Sequence, residues 1–133
     1  MSDFTLRATV DAPHAETVAR VRELLSDAGF GVLTEIDLAA TLKAKLGVEM
    51  PPQVILGACR PELAHRALEA DKRVATMLPC NVVVAETKKG RTRVEVFDPA
   101  VMHSFSDELD LVNVGNEARE RLSGMLARLE GRA

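Results

Sequence analysis

The chain has 133 residues, 47% of them apolar and 28% charged, which suits one domain able to bury a single core without staples. Four Phe are its only aromatics, so that core must be aliphatic. A net charge of −3, with no dominant Lys/Arg segment and no aromatic stacking platform, argues against nucleic-acid binding, and no run approaches the ~18 apolar residues of a membrane span.

The opening "MSDFTLRATV" lacks the basic start and long apolar run of a signal peptide, so a cytoplasmic location is expected. In that compartment two cysteines are expected to be free, catalytic or metal-bound rather than permanently paired. Phe4, Leu6, Ala8 and Val10 alternate with polar residues, the period of a half-buried strand. Asp11 and Pro13 signal a helix start, Val18, Val21, Leu24, Leu25 and Ala28 form its apolar stripe, and Gly29 suits its end. "FGVLTEID" reads as a second strand. Asp37 can cap a short helix carrying Leu38, Leu42 and Leu46, stopped by Gly47. "VEMPPQ" reads as a loop.

"QVILGA" is a continuous apolar strand. Pro61 and Glu62 mark the first turn of a helix, which Asp71 interrupts and recaps before Pro79 ends it. "NVVVAE", "TKKGRTR" and "RVEVFD" read as strand, turn and antiparallel return. Residues 100–116 mix loop and helix signals. Beyond them Ala118, Leu122, Met125, Leu126 and Leu129 stripe a final helix. The order predicts a single α+β domain over 1–133, a mostly antiparallel sheet backed by helices.

The phrases "GFGVLTEIDLAATLKAKLGV", "VILGACRPELAHRAL" and "LPCNVVV" resemble the domain of unknown function 302 family, and the resemblance runs from the first strand to the last helix. It implies a curved antiparallel sheet backed by helices, similar to the TATA-binding-protein arrangement, and a homodimer. It implies no established activity and names no cofactor. The matching positions are Gly57, Ala58, Cys59, Pro61, Leu78, Pro79, Cys80 and Asn81. Arg60 departs from the Asn the family commonly carries there; Arg caps a helix poorly but adds positive charge beside Cys59.

The candidate chemistry gathers in this segment. Cys59 lies near a helix N-terminus, where the helix dipole and Arg60 favour a thiolate. Cys80 follows the end of the helical excursion and precedes an apolar strand, which keeps it a thiol. The asymmetry fits an attacking and a resolving sulfur; the alternative is two small hydrophobes packed in a core. A single straight crossover helix would set the thiols at opposite ends of the sheet. A reversal at Asp71 would instead make the strands antiparallel neighbours and bring the cysteines within the ~7 Å Cα separation a disulfide requires. The reversal is the expected case.

His65 could reach back toward Cys59 as a base or metal ligand, or lie exposed on its helix. Gly57, with the helix N-terminus and Arg60, could receive an anion, or simply permit close packing. Met50, Met77 and Met102 could line a soft pocket or fill core gaps. The expected function is binding of a small anionic or sulfur-containing ligand through Gly57, Cys59, Arg60, His65, Cys80 and Asn81. The alternatives are a noncatalytic structural or dimerisation module and a transition-metal site on Cys59, Cys80 and His65; no dedicated metal site is assigned.

Overall fold

A computed structural model describes residues 3–131. Five strands, β1 (Thr5–Val10), β2 (Gly31–Asp37), β3 (Gln53–Cys59), β4 (Cys80–Lys88) and β5 (Arg91–Phe97), form one sheet in the order β1-β5-β4-β3-β2, with every neighbouring pair antiparallel. Four α-helices accompany it: α1 (His14–Asp27), α2 (Leu38–Leu46), α3 (Pro61–Ala70) and α4 (Leu109–Leu129). The expected α+β class is the observed one.

Period-2 alternation decides which face of the sheet is covered. Ala8, Leu56, Ala58, Val82, Val84, Val94 and Val96 point to one face and are buried there with Val21, Leu24 and Leu25 of α1 and Leu122, Met125 and Leu126 of α4. Phe30, read as the start of β2, instead precedes the strand and is buried in this core. A second cluster joins Leu63 and Ala67 of α3 to Val74, Met102, Leu111, Val114 and Ala118.

The reversal after α3 is made by Asp71. Its extended backbone ends the helix, and its carboxylate accepts from Arg73 N at 3.0 Å to start a 3₁₀ segment, Lys72–Met77. The Arg73 guanidinium grips the same carboxylate at 3.0 and 2.7 Å. The chain therefore returns to lay β4 antiparallel against β3.

Two elements add to the expected picture. The short helix α2 is capped by Asp37, which accepts from Ala40 N at 2.9 Å, and ends at left-handed Gly47, but it has no buried residue. The unreadable stretch resolves into a 3₁₀ segment, Pro99–Ser104, and the first turns of α4. Gly115 lies inside that helix because the 3₁₀ segment crosses it: a Cβ there would stand 2.7 Å from the Pro99 carbonyl oxygen.

Candidate functional site

The β3–β4 register places Ala58 opposite Cys80, so Cys59 is one residue removed from direct opposition to the second thiol. The pleat, however, sends successive side chains to opposite faces. Cys80 shares the face of Ala58 and Val82 and packs against the main core. Cys59, opposite Gly31, has the parity of Gly57 and Ile55 but, at the last position of β3, lines one small space together with Cys80. Both cysteines are free thiols.

The electrostatics run against an activated Cys59. Burial raises its thiol above the ordinary value, and the carboxylate of Glu62 raises it further. The helix-end effect expected from the sequence is thus outweighed. Burial pushes the Cys80 thiol up to about 11, with the charge of Cys59 adding to the effect.

Arg60 has partners on two elements. Its Nη1 donates to the Ala28 carbonyl at 3.0 Å, and its Nε lies 3.5 Å from the Glu62 carboxylate. Gly29 makes room for this clasp: its φ is +86°, and a Cβ there would collide with the guanidinium. Arg60 thereby ties the end of α1 to the start of α3.

His65 is 76% exposed and lies 3.1 Å from Glu69 on its own helix, so it is not brought to either cysteine. Gly57 is buried for packing: a Cβ would collide with Thr34 Oγ1 and stand 2.8 Å from Pro79 Cγ. Asn81 is exposed opposite Gly57. Among the described residues, no group of three or more His, Cys, Asp or Glu is placed to hold a metal ion.

What the structure does assemble around Cys80 is a groove of about 280 Å³, lined by Met77, Leu78, Pro79, Asn81, Phe97, Pro99 and Met102 as well. A second space, of about 30 Å³, is lined by Cys59 and Cys80 together and shares Leu78, Pro99 and Met102 with the groove. Met77 and Met102 were readable as soft pocket candidates. Phe97 and Pro99 carried no chemical signal, because their place depends on the β5 end meeting the cis Leu78-Pro79 segment. A larger depression of about 550 Å³ between α1 and α4 is lined by charges that pair with one another, Arg128 with Asp27 at 3.4 Å and Arg121 with Glu117 at 3.8 Å.

No curated protein matches the chain. The crystal structure of an uncharacterized conserved protein DUF302 from Bacillus stearothermophilus is similar to it, with a TM-score of 0.88 and 29% identity, covering 97% of this chain and 100% of that one. The family model described as domain of unknown function DUF302 matches residues 6–129, nearly the whole chain. With that overall structural likeness and that span of matched sequence, this chain belongs to the DUF302 family.

Proposed function

We propose that this protein is a binding domain that takes a small, uncharged, sulfur-containing ligand in the groove beside Cys80. The observation that carries this reading is the shared wall: one thiol and two thioethers, from Cys80, Met77 and Met102, line a single mostly apolar groove. Sulfur is polarizable and suits soft, apolar guests. An anionic ligand fits less well, because no cationic side chain lines the groove. Two raised thiols are poor nucleophiles at neutral pH, so the reading is of binding rather than turnover.

Methyl methanethiosulfonate, small and neutral, is the probe that tests it. In a Cys59→Ser background it is expected to add a methylthio group to Cys80 in the folded protein, while a bulky dianionic aromatic disulfide does not. Failure of the small reagent to modify Cys80 without unfolding, even at alkaline pH where that thiol ionises, would sink the groove as a ligand site.

A second reading, a homodimerisation module, rests on a different observation. β2 and α2 contain no fully buried residue, yet hold Leu33, Ile36 and Leu46, all well exposed, with Val48 just beyond. Exposed apolar groups beside a sheet edge call for cover, and a second copy would supply it. The oligomeric state in solution tests it. For either reading a cytoplasmic setting accords with two free thiols. No helix among the described residues is long and apolar enough to cross a membrane.

A further inference from the structure

The groove beside Cys80 presents an unusual donor set. Met77 comes from the 3₁₀ segment after α3, Cys80 from the first position of β4, and Met102 from the 3₁₀ segment before α4. Three separate pieces of chain therefore bring sulfur to one groove. Cys80 and Met102 also line a second, smaller space, together with Cys59. The other lining residues are Leu78, Pro79, Phe97 and Pro99, with Asn81 at the rim as the one polar side chain. No carboxylate and no imidazole lines it.

We propose that this groove is a site for one soft monovalent metal ion, Cu(I) or its analogue Ag(I), held by Cys80 Sγ and the thioether sulfurs of Met77 and Met102. The inference deepens the groove reading above and depends on it. Three physical arguments lead there. Thiolate and thioether donors select Cu(I), whereas Ca²⁺ and Mg²⁺ require oxygen ligands that this wall lacks. Zinc sites are commonly completed by imidazole, carboxylate or further thiolates, none of which lines the groove. Charge decides the oxidation state: one thiolate and one monovalent ion make a neutral unit, while a dication would leave a net positive charge among hydrocarbon side chains, which is costly.

Binding exchanges one bond for another with no electron transfer. The Cys80 thiol proton leaves to solvent, a sulfur–metal bond replaces it, and the two thioethers donate lone pairs without losing anything.

The experiment is metal titration of the full chain carrying Cys59→Ser, which removes the other thiol. Under anaerobic reducing conditions, Cu(I) is supplied in competition with a colorimetric Cu(I) chelator, and Ag(I) is titrated separately. One equivalent is expected. Cys80→Ser is expected to abolish binding, and Met77→Leu and Met102→Leu each to weaken it by about tenfold or more. The leucine variants nearly conserve side-chain volume, so the fold is expected to tolerate them. X-ray absorption of the copper-loaded, unsubstituted chain is expected to show a sulfur-only shell. Absence of a bound equivalent, unchanged affinity in both leucine variants, or nitrogen or oxygen neighbours at copper would each overturn the proposal. If methyl methanethiosulfonate reaches Cys80 but no metal is retained, the groove reading stands and the metal reading falls.

Discussion

At the residue scale, the two cysteines differ from the pair implied by their places in the sequence. Cys59 has the helix N-terminus expected of an activated thiol, yet partial burial and Glu62 hold its proton on. Cys80 is the more strongly perturbed, and its direction makes a test of the fold. A thiol raised in the native state favours folding while neutral and opposes it when ionised. The stabilising contribution is therefore complete below the ordinary thiol value of about 8.5 and is lost as pH rises toward about 11. Urea unfolding of the wild type between pH 8 and 11 is expected to show an alkaline loss of stability of up to roughly 3 kcal/mol that Cys80→Ala lacks. Parallel pH profiles for the two proteins would refute this account of Cys80.

Gly57, Arg60 and His65 show how one residue type serves two ends. Each was readable from the sequence as part of a binding site, since a glycine beside a helix start, a cation and an imidazole are what an anion or nucleophile site uses. The contacts give them other work: Gly57 admits Thr34 and Pro79, Arg60 ties α1 to α3, and His65 pairs along its own helix. Nothing local distinguishes these uses, because each depends on a partner far away in the chain or on the direction a helix faces.

At the scale of elements, the two glycines of α4 make a controlled comparison. Glycine inside a helix costs roughly 0.5–1 kcal/mol relative to alanine. Gly124 has open space where a Cβ would go, so Gly124→Ala is expected to stabilise the protein by about that amount. At Gly115 the same Cβ would meet the Pro99 carbonyl oxygen at 2.7 Å and the Ala100 Cα at 3.4 Å. Backbone cannot rotate away as a side chain can. Gly115→Ala is therefore expected to destabilise by about 1–3 kcal/mol despite its better helix propensity. Thermal and urea unfolding of the two variants would check the opposite signs; two stabilised variants would disprove the close crossing of α4 by the Pro99–Ser104 segment.

This crossing also explains why residues 100–116 resist a reading from sequence. A glycine, two asparagines and scattered valines obscure the helical stripe, and the glycine is there for a neighbour the local pattern does not contain. Asp71 is the opposite case. A capping residue in mid-excursion announces a break, and its carboxylate, bonded by Arg73, is held well below the usual range.

At the scale of the whole molecule, β2 is an edge strand and α2 adds no buried residue. An isologous dimer built on this segment would cover Leu33 and Ile36. Sedimentation equilibrium is expected to return twice the chain mass for the wild type and the chain mass for Leu33→Glu/Ile36→Glu, with circular dichroism unchanged. A wild type that sediments as a single chain at micromolar concentration would remove the dimer reading.

The sequence by itself determined the kinds of element and their order. Period-2 and helical stripes, Pro61, Gly47, Gly90 and the acidic cap at Asp71 act within a few residues, where the physics is local. It also determined an aliphatic core and a chain reversal between the cysteines. Only the tertiary structure decided strand register, and register decides faces: pairing Ala58 with Cys80 turns Cys80 toward the main core. A shift of one residue would reverse that assignment, because side chains alternate with a period of two and no local preference selects the partner. For the same reason the groove of Cys80, Met77 and Met102 exists only in three dimensions, where the segment before β4 meets the one before α4.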